Sequence, residues 1–250
     1  MDSKIRVLLA GESWVSNSTH YKGWDFFSST VYETGIAFLQ QALANTCIEL
    51  VHLPGHLAAE EFPFTIDGLN QYDVVILSDL GANTLLLPPA VWLHGKSVPN
   101  RLNLLRDWVQ TGGGLAMCGG YYSFAGIYAG AKYYRTAIEE VLPVHIYTFD
   151  DRVECPQGLE PEIIETDHPI VQGIRQPWPN LLGFNELEIK PDATLIARVG
   201  QHPLLATRMV GQGRTLAWAS DIGPHWCPET FVQWPGYAQF WKQAIEWLAG

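Results

Sequence analysis

The apolar residues of this chain change their period several times. Ile5-Arg6-Val7-Leu8-Leu9-Ala10 is nearly continuous, the pattern of a strand buried on both faces of a parallel sheet. Residues 33–43 place Ile36, Ala37, Phe38, Leu39 and Leu43 at helical spacing and predict a helix with one apolar face. Ile48–Leu53 predicts a second strand, stopped by Pro54-Gly55. Residues 73–77 (Asp-Val-Val-Ile-Leu) predict a third, central strand. Arg101–Gln110 spaces Leu102, Leu105, Trp108 and Val109 as a helix that Thr111-Gly112 terminates. Residues 115–118 form a fourth strand. This alternation predicts a mostly parallel sheet with helices on both faces.

The second half reads as richer in strand. Residues 144–149 and 184–189 look extended. Residues 194–199, 204–210 and 214–219 predict a small antiparallel set, the last two joined by Gly211-Gln212-Gly213. A terminal helix carries Phe231, Trp234, Phe240, Trp241, Ala244, Trp247 and Leu248. Residues 155–161 and 177–179 read as loop insertions. Residues 11–29 read as a loop far longer than the usual roughly 2–6 residues of a strand-to-helix connection. This stretch holds Glu12, Ser13, His20, Lys22, Trp24 and Asp25. It reads either as a lid over a small polar ligand or as a loop packed on its own Trp24, Phe26 and Phe27. No repeat or sharp change of composition divides the chain, so one domain over residues 1–250 is expected.

Composition narrows the partners. The 250 residues are 47% hydrophobic and 16% charged, enough apolar material for a full core. A net charge of -11 argues against nucleic acid, whose binding needs clustered Lys and Arg. No stretch approaches the roughly 20 apolar residues of a membrane span. Met1-Asp2-Ser3-Lys4 runs straight into the first strand without a signal-peptide core. Cys47, Cys118, Cys155 and Cys227 form no CxxC pair, which predicts reduced thiols and a cytoplasmic protein. His52 and His56 are four apart, but Pro54-Gly55 breaks any helix between them. No metal is therefore expected. Gly11-Glu12-Ser13-Trp14 after the first strand is no dinucleotide fingerprint, and no cofactor is expected.

Two strand ends carry candidate chemistry. Ala116-Met117-Cys118-Gly119-Gly120 fits a strand-to-helix elbow that exposes a nucleophilic thiol, with the glycine amides as oxyanion donors. Alternatively, Cys118 is a small buried hydrophobe. His225, in Ser220-Asp221-Ile222-Gly223-Pro224-His225-Trp226, could serve as general base with Asp221 or Glu229 orienting it. Alternatively, it packs beside Trp226 at a rim.

Residues 112–124 (Gly-Gly-Gly-Leu-Ala-Met-Cys-Gly-Gly-Tyr-Tyr-Ser-Phe), residues 220–226 and Trp234-Pro235-Gly236-Tyr237 resemble an uncharacterised branch of the class I glutamine amidotransferase-like superfamily. The likeness spans essentially the whole chain. It implies a flavodoxin-like three-layer α/β sandwich, and a Cys-His-Glu triad with the nucleophile in G-x-C-x-G-x-Q and the other two in H-P-E. Cys118 and Gly120 match the C-x-G core, while Ala116 and Tyr122 replace the flanking Gly and Gln. His225 matches the triad His; Cys227 stands where the Glu belongs, with Glu229 the nearest carboxylate beyond it. The loop Ser78-Asp79-Leu80-Gly81-Ala82-Asn83 lacks the expected Gly-Gly. Three functions follow. One is amide hydrolysis or transfer through Cys118 and His225. A second is non-catalytic binding of a small polar molecule, with Glu12, His20, Asp79, Gly119, Gly120 and Tyr121 as contacts. A third is a homo-oligomer anchored by Trp92, Trp178 and Trp226.

Overall fold

The computed structural model describes residues 4–250; Met1-Asp2-Ser3 lies outside the described residues. The strands in chain order are β1 (Ile5–Gly11), β2 (Ser13–Lys22), β3 (Asp25–Thr34), β4 (Ile48–Leu53), β5 (Val74–Ser78), β6 (Gly114–Cys118) and β7 (Val144–Ile146). They continue with β8 (Arg152–Leu159), β9 (Glu162–Ile163), β10 (Leu181–Asn185), β11 (Leu187–Ile189), β12 (Thr194–Val199), β13 (His202–Val210) and β14 (Gly213–Trp218). Eight of them make one sheet in the order β4-β1-β5-β6-β14-β13-β12-β9. The five from β4 to β14 are mutually parallel, and β13, β12 and β9 continue the sheet antiparallel. β8 with β10, β7 with β11, and β2 with β3 form separate two-stranded sheets.

The parallel centre follows from the apolar runs. Val7 to Ala10, Val74 to Leu77 and Leu115 to Cys118 are all buried, because helices cover both faces. Helices Ala37–Leu43 and Pro235–Ala249 pack on each other in one layer. Helix Arg101–Gln110 packs against Ile66–Leu69, Ala82–Leu86 and Ala137–Val141 in the other. Asn100 caps that helix, its Oδ1 accepting from the Leu102 and Asn103 amides at 3.0 and 3.2 Å. The architecture is an α/β sandwich. No helix among the described residues is long and apolar enough to cross a membrane.

Several local expectations are corrected. Residues 11–29 are not a lid loop but most of the hairpin β2–β3, whose Ser, Thr, Val and aromatic residues favour extended backbone. The first helix begins only at Ala37, because Glu33 and Thr34 belong to β3. Residues 155–159 are extended within β8 instead of looping out, with an irregularity before Leu159 pairs with Leu181. The extended stretch 184–189 is split between β10 and β11. The terminal aromatic stretch is broken at Trp234, the N-cap of helix Pro235–Ala249. Trp178 and Trp226 are buried, so they are core residues and not interface anchors; Trp92 is exposed.

Candidate functional site

The chain leaves β1 toward β4 on one side, while β5 lies on the other. Strand order reverses there, which is where open α/β sheets place ligands, just past the strand ends. The ends of four strands are level: Gly11 pairs with Ser78, Ser78 with Cys118, and Cys118 with Trp218. The next residues outward include Glu12, Asp79 and Gly119. Glu12 and Asp79 begin a cavity of about 550 Å3 that Asp221 and His225, beyond β14, complete, while Gly119 does not line it.

Three carboxyl side chains converge on this cavity, Glu12 and Asp221 buried and Asp79 half-buried. Glu12 accepts from Ser78 Oγ at 2.6 Å. Burial, with Asp79 and Asp221 nearby, pushes its pKa up to about 8. Asp79 accepts from the Tyr122 amide at 2.7 Å; burial foremost pushes its pKa up to about 6, against the lowering effect of that bond. Both Glu12 and Asp79 hold a positive φ, 48° and 49°, an uncommon backbone for non-glycine residues that clusters at functional sites. Gly120 makes the crowding possible. A Cβ there would lie 2.5 Å from Asp79 Oδ1 and 3.0 Å from Asp221 Oδ1, and its φ is +138°.

Asp221 organises the fourth group. Its Oδ2 lies 2.8 Å from His225 Nδ1 and accepts from the Trp226 amide at 2.9 Å. The bond to Asp221 raises the His225 pKa. His225 Nε2 has no hydrogen-bond partner among the described residues, and the side chain is 45% exposed. Tyr121 stands edge-on to the imidazole with ring centroids 4.8 Å apart. The Arg152 guanidinium lies 4.5 Å from the Tyr121 ring centroid, and Glu154 accepts from the Tyr121 hydroxyl and from Trp226 Nε1. The site thus combines an oriented imidazole, carboxyl groups of different acidity and aromatic surface.

Other sequence candidates fall elsewhere. Cys118 is the last residue of β6 and fully buried. Burial pushes its thiol pKa well up, and Glu12 and Asp221 push it the same way. A thiol held protonated is a poor nucleophile. Residues 116–120 are not a strand-to-helix elbow, since two glycines, turns and a short 3-10 segment at Ile127–Ala129 follow β6. The Gly119 amide donates to Trp218 O and Ser220 O, and the Gly120 amide to Asn185 Oδ1. Neither is open to an oxyanion. Glu229 is exposed in the first turn of helix Glu229–Val232 and does not orient His225; Asp221 does. His20 lies out on the hairpin, stacked on Phe27. No group of three or more metal-ligating side chains forms among the described residues.

Sequence reasoning missed the wall formed by Trp14, Tyr122, Ile127 and Tyr128. Three of these residues ride on the segment 120–131, which Asp151 holds by accepting from the Ala125 and Gly126 amides and from Asn185 Nδ2. Asp150 accepts from the Tyr128 amide at 2.9 Å. The available signal was the Tyr121-Tyr122 pair and the later Asp150-Asp151 pair, which only the fold brings together.

The cytoplasmic proteins STM3548 and STM1381 of Salmonella typhimurium are each 39% identical to the chain at a TM-score of 0.93. The first matches 97% of this chain and 98% of its own, the second 98% and 99%. A "Putative thua-like protein" from Bacteroides uniformis shares the fold at 11% identity and a TM-score of 0.58, over 99% of this chain and 93% of its own. A search of curated proteins finds no match. The model of one family matches residues 6–250, and the chain belongs to that family, described as "Putative glutamine amidotransferase".

Proposed function

We propose that this chain is a cytoplasmic small-molecule-binding protein whose site works without the Cys118 thiol. One observation carries the reading. Glu12, Asp79, Asp221 and His225 line a cavity of about 550 Å3, while Cys118 is sealed beneath it. A volume in this range suits a small ligand. Carboxyl groups within a chain of net charge -11 disfavour anions. Hydroxyl or amine groups suit the carboxylate acceptors, and the apolar face of a sugar ring or alkyl chain suits Tyr121, Tyr122 and Tyr128. The ligand is therefore a small hydroxyl- or amine-bearing molecule without net negative charge. The compartment is supported by the two Salmonella relatives, both described as cytoplasmic.

A thermal-shift panel of sugars, polyols, amines and amino acids, set against dicarboxylates and phosphate esters, tests the proposal. Neutral or cationic members should raise the melting temperature, and Asp79→Asn should remove the rise. Glutamine hydrolysis that Cys118→Ser abolishes would sink the reading, as would stabilisation by the anionic members alone.

A further inference from the structure

We infer that the ligand of this cavity is a small organic cation: an ammonium group among the carboxyls of Glu12, Asp79 and Asp221, carried on an apolar body that lies against the aromatic wall. This rests on the reading that the cavity binds a small molecule, and it narrows the chemistry. The carboxyl floor is short of donors. Glu12 is 7% exposed. Its Oε2 accepts from Ser78 Oγ, while Oε1 has no hydrogen-bond partner among the described residues. Asp221, 9% exposed, uses Oδ2 for His225 and the Trp226 amide, and its Oδ1 has no partner among them either. Both residues line the cavity. A buried acceptor without a donor is costly, and the N–H groups of an ammonium would remove that cost.

Charge points the same way. Among the described residues no Lys or Arg lines the cavity. Arg152 approaches Tyr121 from outside the lining and is paired with Asp150 at 2.8 Å. His225, the basic group that does line it, is committed to Asp221 through Nδ1. Asp79 Oδ1 and Asp221 Oδ1 lie 2.5 and 3.0 Å from a single point, the place a Cβ on Gly120 would take. Asp79 and Asp221 both act against a charge on Glu12. A neutral ligand leaves this repulsion in place, whereas a cation opposes it.

The wall supplies ring surface more than hydrogen bonds. The Tyr121 hydroxyl donates to Glu154 at 3.2 Å and Trp14 Nε1 to Glu33 at 3.0 Å, so both rings line the cavity with their polar atoms engaged elsewhere. Tyr122 and Tyr128 add rings that are 48 and 84% exposed. Aromatic faces attract cations and cover alkyl groups. The Arg152 guanidinium, 4.5 Å from the Tyr121 ring centroid, shows one such face already in use. A sugar fits less well. Its oxygens accept as well as donate, and no Lys, Arg, Asn or Gln lines the cavity among the described residues to serve them. An ammonium with a hydrocarbon body asks only for acceptors at one end and apolar surface at the other.

Calorimetric titration of the full chain at neutral pH tests this with three compounds of one shape: cyclohexylammonium, cyclohexanol and cyclohexanecarboxylate. The ammonium should bind at least about tenfold more tightly than the alcohol, and the carboxylate should not bind. Asp79→Asn keeps an acceptor for the Tyr122 amide and should erase the ammonium's advantage without changing far-UV circular dichroism. In a pH-stat the ammonium should also release a proton, since a cation beside Glu12 lowers a pKa that stands at about 8. Around Glu12, burial holds Cys118, Cys227 and Tyr237 protonated. Asp79, Asp221 and His225 are unchanged in Glu12→Gln, so the release lost in that variant reports Glu12. Cyclohexanol bound as tightly as the ammonium, or ammonium bound without proton release, overturns the inference and leaves a small-molecule site standing. Preference for the carboxylate overturns both. Failure of all three to bind overturns the inference alone, and the wider thermal-shift panel then decides the reading beneath it.

Discussion

Buried charge is handled in two ways in this molecule. Arg101 is fully buried with no carboxylate partner among the described residues. Its guanidinium donates to Leu85 O at 2.7 Å, Thr84 O at 3.0 Å, Ala58 O at 3.1 Å and Phe62 O at 3.4 Å. These carbonyls belong to the C-terminal ends of two helices, where the backbone dipoles are negative. Lys190 does the same for helix Ala137–Val141, donating to the carbonyls of Glu139, Glu140 and Leu142. Around the cavity, the buried Glu12 and Asp221 and the half-buried Asp79 receive only part of what desolvated carboxyls need, and they crowd one another. A charge that the chain itself satisfies is structural. Charges left short and aimed at a cavity are held for something that arrives from outside.

Removing the structural cation should have the largest effect. Arg101→Met takes the guanidinium donor from four carbonyls, those of Ala58, Phe62 and Leu85 buried, and should cost about 3–5 kcal/mol in urea unfolding. It should leave the ligand response of the surviving folded fraction intact. A loss under about 1 kcal/mol would erase the distinction. Gly120→Ala should come next, at about 1–3 kcal/mol. Its methyl would enter between Asp79 and Asp221 at 2.5 and 3.0 Å from their oxygens, and ligand stabilisation should vanish with it. Wild-type stability together with an unchanged ligand response would mean that the two carboxyls are not held as one site.

The acids should also reveal themselves through pH. Glu12 gives up its proton near 4.5 in the unfolded chain and near 8 in the fold. Between those values the unfolded chain binds fewer protons, so this group makes stability fall as pH rises. The fall is at most about 1.4 kcal/mol per pH unit. Glu12→Gln should remove that component and make the protein more stable than wild type above pH 8. A variant as pH-sensitive as wild type would show that Glu12 is not the buried acid described. The His225–Asp221 pair also holds its proton more tightly in the fold, through a bond and not through burial. Asp221→Asn should drop the His225 pKa by NMR titration, since the bond to Asp221 is the main cause of its rise.

The sheet was legible because continuous apolar runs at 5–10, 73–77 and 115–118 have few other uses. The aligned register of the strand ends then follows from the fold. The hairpin was not legible as such, because its aromatic and hydroxyl residues suit a packed loop as well as a ribbon. Glu12, Asp79, Asp221 and His225 could be named from their places after strands. Their convergence could not, since it depends on Gly120 and on Asn185, which accepts from the Gly120 amide and donates to its carbonyl. Arg101 stood at a helix N-terminus, where sequence alone suggests a solvated cation.

The smallest expected effect belongs to the residue that the motif singled out. Cys118 shares its register row with Ser78 and Trp218, one residue inward of Glu12 and Asp79. That one step separates a cavity-lining position from a core position. Cys118→Ala should therefore cost only about 1 kcal/mol, the scale of a small buried truncation, and leave ligand stabilisation unchanged. Native alkylation with iodoacetamide, followed by peptide mass analysis, should label half-buried Cys47 before Cys118. Rapid labelling of Cys118 would mean that the floor of the cavity opens in solution. The thiol would then belong with the crowded acids above it, and the division between structural and functional burial would have to be redrawn one residue deeper.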